Sequence, residues 1–286
     1  MPTEPNPELF PVRLITAPVV IPMMEMAFIP GALRALADWV REYRPECLPG
    51  EADPEGWDLF PHDGTEEGRT LTANELYAEL CGRNCYHSYG AAAGRKTNSA
   101  YIAHSQSGRV PHRSILYHPK MSFFVAGVSR HLTHELMRHY VGADRDQEGS
   151  PSQESTRYTL SPGHFVVPPR VLEAGAGAVE EFRVRVQSAY TNYRTYVEGE
   201  LAHYARNHDG TAPRGLERKR IYEDAATILP HSVATSVMWT TNPIAAGKMF
   251  TEREDESAGL EFRRLAGVWR RECARWANLF PPPAGT

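Results

Sequence analysis

The sequence predicts an α+β fold, a mixed sheet packed against long helices. Three observations carry that expectation. Short β-branched runs and helical repeats are interspersed without a βαβ rhythm, which argues against a doubly wound sheet. Residues 121–126 form an apolar run that reads as a buried strand, followed at once by a helical pattern ending near Tyr140. Residues 178–208 carry Phe182, Val186, Ala189, Tyr193, Tyr196 and Val197 at spacings of three and four, the mark of a long helix with one apolar stripe.

The remaining elements follow in chain order. Residues 12–21 are β-branched and apolar and read as one strand, and residues 31–43 place Leu33, Leu36, Ala37, Val40 and Tyr43 at helical spacing. Residues 44–69 are rich in Pro, Gly and acids and read as a surface loop. Thr72 with Glu75 three residues on is a capping-box pattern, opening a helix that runs through Leu76 and Leu80 toward Cys85. Phe165, Val166 and Val167 read as strand, residues 232–239 as another, and residues 260–279 as a final helix. No internal repeat or low-complexity tract interrupts this order. The expected organisation is an N-terminal extension over residues 1–70, packed on one main domain over residues 71–286.

Composition narrows the partners. A net charge of −4 offers no basic field for a nucleic-acid polymer, so a phosphate-bearing ligand must be a small molecule held by local arginines. Only four of the 31 basic residues are lysines, a bias that reflects a GC-rich genome more readily than a binding surface. Cys47, Cys81, Cys85 and Cys273 make no compact disulfide framework, and no charged-then-apolar leader stands before them, so a reduced, cytoplasmic protein is expected. No apolar run approaches the ~18 residues of a membrane span.

The chemistry gathers between Arg138 and Tyr158. Arg138-His139 at a helix end and Ser152-Gln153-Glu154-Ser155-Thr156-Arg157-Tyr158 beyond it bring guanidinium forks, hydroxyls and free backbone N–H groups together, a set suited to phosphate and hence to a nucleotide. Rival motifs fail. His134-Glu135 is followed by His139 at i+5, so the two histidines do not share the helix face a zinc protease needs. Cys81, Cys85 and His87 lack a second thiol pair, and Gly175-Ala176-Gly177-Ala178 lacks the third glycine of a dinucleotide fingerprint. No metal site is expected.

With these residues in order, the chain resembles the flavin-dependent thymidylate synthases. The family signature, R-H-R, a spacer, then S-x-x-x-S-x-R-Y or close to it, is matched by Arg138, His139, Ser155, Arg157 and Tyr158. Residues 112–118 resemble the family's H-x-S-x-L-E-H segment, and Leu229-Pro230, Trp239-Thr240-Thr241-Asn242, Arg253 and Glu261-Phe262-Arg263 follow in the family's order. The resemblance implies a homotetramer with shared sites and a reaction in which FAD, reduced by NADPH, mediates methylene transfer from methylenetetrahydrofolate to C5 of a uridylate. It further implies that Glu135, Arg138, Gln153, Glu154, Ser155, Thr156 and Arg157 line the nucleotide, with Ser155 and Arg157 at phosphate and Arg253, the catalytic group, at the uracil. By the same resemblance His112, Ser114, Arg138, His139, Tyr140, Asn242 and Lys248 hold FAD.

Departures from the family pattern cluster at the same place. Tyr140 stands at the third position of R-H-R, Tyr117 replaces a Glu, Cys85 a Ser, Ala226 an Arg, Ile244 and Lys248 flavin-side polar residues, and Ser257 a His, while residues 141–147 read as an insertion. These changes suit a specialised relative similar to the uridylate C5-methylases of polyoxin-type nucleoside antibiotic pathways, acting on UMP and dUMP. The alternatives are a housekeeping dUMP-specific synthase, a non-catalytic flavin- and nucleotide-binding relative, and a flavoprotein that oxidises NADPH without a nucleotide.

Overall fold

The computed structural model describes residues 10–90, 94–107, 112–139 and 149–280. Its centre is a four-stranded antiparallel sheet in the order β2 (Val19–Glu25), β5 (Met121–Ser129), β8 (Ala234–Thr241) and β6 (Gly149–Gln153). Register sorts the side chains. Val20, Val125 and Val237 align in one buried row and Phe123 pairs with Trp239 in the next, whereas Ile21, Phe124 and Met238 form a row on the opposite, more open face. β6 is an edge strand, which is why it tolerates Pro151 opposite Trp239.

Residues 12–21 are not one strand. Ala17-Pro18 breaks them into β1 (Arg13–Ile15) and β2, and β1 leaves the sheet to pair in parallel with β7 (His164–Val166). The corner depends on Gly127. It sits at a bulge of β5 with φ +67°, and a Cβ there would lie 2.8 Å from the Ala17 carbonyl oxygen.

Among the described residues, three cores hold the layers together. The main one fills the space between the buried sheet face and α2 (Ala73–Tyr86), α3 (Asn98–Gln106), α8 (Pro243–Glu254) and α9 (Leu260–Glu272). At its centre Phe123 meets Trp269 and Trp276 edge-on at 5.2 and 5.8 Å between ring centroids, and Trp269 meets Trp239 at 6.3 Å. A second core packs α1 (Ala32–Tyr43) on the other side of α2 and recruits Leu48, Leu59 and Phe60. The segment expected as a surface loop over residues 44–69 is therefore partly core; its Pro and Gly residues mark tight 3-10 turns and the small hairpin β3 (Thr65–Glu66) and β4 (Arg69–Thr70). The third core joins β7 to α6 (Ala176–Arg206) and α7 (Gly215–Ala226) through Phe165, Tyr190, Tyr193 and Val197, with α5 (Pro169–Glu173) leading into α6.

The predicted capping box of α2 is present: Thr72 accepts from the Glu75 N–H, and the Glu75 carboxylate takes the Thr72 N–H at 2.9 Å. Glu75 also receives both ends of the Arg69 guanidinium and, from the far end of the chain, the Asn278 N–H at 3.1 Å. Deeper in α2, the fully buried Glu79 and Arg83 pair at 2.6 Å, with His62 and Asn98 completing the carboxylate and the Ser88 and Arg95 carbonyls completing the guanidinium. The expected final helix stops at Glu272. Beyond it Cys273–Leu279 tighten to a 3-10 turn with a kink at Trp276, whose indole N–H donates to Glu25 of β2 at 2.8 Å. Thus β2, though N-terminal to residue 70, is an edge of the central sheet and is tied to the last turn.

No described helix is long and apolar enough to cross a membrane.

Candidate active site

The strand β5 passes directly into α4 (Arg130–Leu136), and the junction is built to hold. Ser129 accepts from the Leu132 N–H as the N-cap, while its own hydroxyl and N–H donate to the two oxygens of Glu261 at 2.7 and 2.8 Å. Glu261 and Phe262 open α9, so the same contact sets α9 against α4.

One helix length away, α4 gives way to a 3-10 turn, Met137–His139, and the predicted site residues begin to meet. Arg253, in the last turn of α8, donates from Nη1 to Glu135 at 2.7 Å and from Nε to His139 Nε2 at 2.9 Å, and its guanidinium lies 4.7 Å from the centre of the Phe262 ring. Phe262 also meets the His139 ring edge-on at 5.9 Å. Burial, then the positive charges of Arg253, Lys248 and Arg138, depress the His139 imidazolium to about 4. At neutral pH the ring is uncharged. Since Arg253 only donates, Nε2 is the acceptor and Nδ1 carries the proton, 3.9 Å from Glu252. A cavity of about 640 Å³ opens beside Glu135 and Phe262, walled by Leu132, Val166, Pro168 and Leu260.

The expected phosphate residues lie on a second patch. Gln153 at the end of β6 donates to Thr133 of α4 and Thr235 of β8, and the Glu154 carbonyl accepts from Arg130 at 2.6 Å, which fixes the strand end over α4. The turn that follows carries the half-buried Ser155 and Thr156 and the exposed Arg157. Ser155 accepts from the Arg157 N–H, and the Arg157 guanidinium pairs with Glu223 of α7 at 3.2 Å. Lys219 shares that carboxylate at 3.3 Å and lies 5.8 Å from the Tyr158 ring. These residues contact α7 rather than Arg253.

Of the residues implied for FAD, Lys248 lines a third region, while His139 belongs to the Arg253 cluster and Arg138 is exposed beside it. His112 is exposed against Tyr86, and Arg113, which lies between His112 and Ser114, lines a cleft of about 490 Å³ with Lys248, Gln106, Thr251 and Glu252 over an apolar floor of Ile102, Leu116, Ile244 and Leu279. Two cations above an apolar floor fit a diphosphate-linked planar group. Asn242 is fully buried, next in the chain to Pro243 of the cleft lining, and its side-chain oxygen is the N-cap acceptor for Ala245 of α8 at 2.9 Å. Tyr140 and the insertion at residues 141–147 lie outside the described residues.

Cys81 and Cys273 are pushed up by burial, Cys81 to about 11, so neither is a ready thiolate. Ser257 spends its hydroxyl and N–H on Asp255, closing the turn between α8 and α9. Sequence reasoning assigned no role to Lys219, Arg113, Glu252 or Phe262. Phe262 stands nine residues after Arg253 across a helix break, a separation with no periodic signal, and Lys219 lies on a helix that is polar on nearly all sides.

The described residues thus gather a guanidinium fixed on three sides, a patch of cations against α7 and a cleft with two cations over an apolar floor on a mixed α+β scaffold, an arrangement suited to a nucleotide-binding enzyme. The pattern of the family described as thymidylate synthase complementing protein matches residues 69–278. The flavin-dependent thymidylate synthase of Mycolicibacterium vanbaalenii is 34% identical over 193 residues, covering 66% of this chain and 70% of the relative. That of Mycobacterium sp. strain KMS is 33% identical over 202 residues, covering 68% and 73%. The chain belongs to this family, the flavin-dependent thymidylate synthases. Among solved structures, the UMP/dUMP methylase PolB from Streptomyces cacaoi, bound with 5-Br UMP, shares the fold over 94% of this chain and 93% of its own, with a TM-score of 0.55 at 16% identity.

Proposed function

We propose that this chain catalyses flavin-dependent C5-methylation of UMP and dUMP, with methylenetetrahydrofolate as carbon donor and NADPH as the source of electrons. The observation that carries the reading is Arg253, held by Glu135, His139 and Phe262 within the segment that matches the family. When bound, reduced FAD supplies the reducing equivalents and mediates the methylene transfer. The protein's own part is to hold and polarise. Arg253 donates to a uracil carbonyl, which orients the ring and stabilises the negative charge that a ring made electron-rich at C5 carries on its carbonyl oxygens. Ser155, Arg157 and Lys219 take the phosphate, with Glu223 giving up its two cations to the incoming anion. Arg113 and Lys248, which line one cleft, would hold the flavin diphosphate.

Within one chain Arg157 pairs with Glu223 of α7 while Arg253 is held by Glu135 and His139, separate partners that suit a site completed across subunits of a homotetramer. The open sheet face, with Val19, Ile21, Met23 and Met238 exposed, offers apolar area for such contacts.

Ala226, where the family has an Arg, favours tolerance of the ribose 2′-hydroxyl by the room it leaves, and the fold shared with the UMP/dUMP methylase PolB agrees with it. The names of the mycobacterial relatives favour dUMP alone. A low-oxygen competition between UMP and dUMP at equal concentration, with FAD, NADPH and methylenetetrahydrofolate, decides between them by mass spectrometry. Both methylated nucleotides are expected. Thymidylate alone would identify a dUMP-specific enzyme, and flavin turnover without either product would overturn the methylase reading.

A further inference from the structure

The cavity of about 640 Å³ beside Glu135 and Phe262 is within the range of small-molecule sites, roughly 300–1,000 Å³, and shares no lining residue with the cleft of Arg113 and Lys248. Four segments build it: α4, the turn from β7 into α5, the turn that leads into β8, and the turn between α8 and α9. Two backbone bonds tie three of them together, from the His131 N–H to the His231 carbonyl at 3.1 Å and from the Val166 N–H to the Ser232 carbonyl at 2.8 Å, so the fold itself sets the walls. Depth and mouth differ in character. Leu132, Val166, Pro169 and Phe262 are buried and make stiff apolar walls, whereas His131, His231 and Arg170 stand exposed, each from a different segment. Two of the three carboxylates in the lining are already engaged, Glu135 with Arg253 and Glu261 with Ser129, and no described carboxylate pairs with Arg170.

We infer that this cavity receives the one-carbon donor, with its flat pterin ring between the apolar walls and its glutamate tail at Arg170. The inference rests on the methylase reading of the chain. A donor has to bring its methylene group beside the pyrimidine, and the cavity reaches Glu135 and Phe262, two of the residues that touch the Arg253 guanidinium. Polarity changes along the cavity as it does along the donor. A pterin and its aromatic linker present flat, largely apolar faces, which suit the buried depth. The tail ends in carboxylates, which suit a guanidinium fork that has no described partner, with the His131 and His231 rings as further N–H donors at the exposed rim. NADPH fits less well. It carries a diphosphate and a further phosphate, more negative charge than one arginine meets, and Glu256 is exposed in the same lining.

The test uses two probes on the FAD-loaded protein with dUMP present: 5-formyltetrahydrofolate, a stable analogue of the donor, and the same compound without its glutamate. Affinities are measured by calorimetry and FAD content by absorbance. Arg170→Ala should weaken binding of the complete analogue about tenfold, and leave the shortened analogue, dUMP affinity and FAD content unchanged. Arg170→Lys should recover part of the loss. A second variant probes the depth. Gly259 has an ordinary φ, and a Cβ there would meet only Glu135 Oε1, at 3.9 Å, so Gly259→Leu places a side chain in the cavity without backbone strain. It should weaken both analogues alike with FAD content unchanged. Unchanged affinity for the complete analogue in both variants would overturn the inference; so would a raised KM for NADPH in flavin reduction by Arg170→Ala with analogue affinity intact, which would give the cavity to the nicotinamide nucleotide. If the parent chain bound neither analogue, the methylase reading would fall and the inference with it. If the parent bound both and the variants bound them equally well, only the inference would fall.

Discussion

His139 shows how one buried side chain couples the site to stability. The folded chain keeps its imidazole neutral down to about pH 4, whereas an unfolded imidazole binds its proton near pH 6.5. The unfolded state therefore takes up the proton first as pH falls. Stability from this group is complete above pH 6.5 and is lost between 6.5 and about 4, by roughly 2 kcal/mol at pH 5. Urea unfolding at pH 7.5 and pH 5 should show that drop in the parent chain and a smaller one in His139→Gln; equal drops would mean that the ring is hydrated and titrates normally. The identities of Arg253, His139 and Glu135 were legible through the family resemblance. Their contact was not, because 114 and 118 residues separate Arg253 from its two partners and nothing in local spacing reports a meeting of that kind.

Among the elements, those with a clean period were readable. The residue 121–126 strand, the long stripe of α6 and the Thr72–Glu75 box all appear within a few residues of their expected bounds. The ones missed had no stripe to see. α8 buries Pro243, Ile244, Ala245, Ala246, Met249 and Phe250 on several sides, α7 buries only Ala225, and β6 is short with a proline at its middle. The junction between β5 and α4 matters most for the site, because α4 carries Glu135 and leads to His139. Ser129→Ala removes both an N-cap and one of the two donors to the Glu261 carboxylate, so it should cost about 1–3 kcal/mol in urea unfolding. Ser129→Thr should restore most of that, and an unchanged midpoint in Ser129→Ala would show that solvent replaces the cap.

At the scale of the molecule, α2 is the hub. Glu79 and Arg83 are wholly buried, and burial pushes the Glu79 carboxyl up while His62, Arg83 and Asn98 together outweigh it and leave it below its ordinary value. Such a pair adds little over an apolar substitute, yet breaking it strands a charge. Glu79→Ala should lower stability by about 3–5 kcal/mol, and Glu79→Ala with Arg83→Met by clearly less; equal losses would mean that the carboxylate matters on its own. The sequence reading of residues 44–69 as surface missed this hub, because Pro and Gly mark turns without saying whether the apolar residues between them face inward. Glu75, a turn earlier on the same helix, has a different consequence. Its carboxylate joins residue 72 to residue 278, a loop of about 200 residues, and closing a loop that long costs roughly 2 kcal/mol more chain entropy than closing one of about 20. That clasp forms late in folding, once the sheet has brought the two ends near each other, so the chain should refold slowly and as one unit even though its helix start is encoded in four adjacent residues.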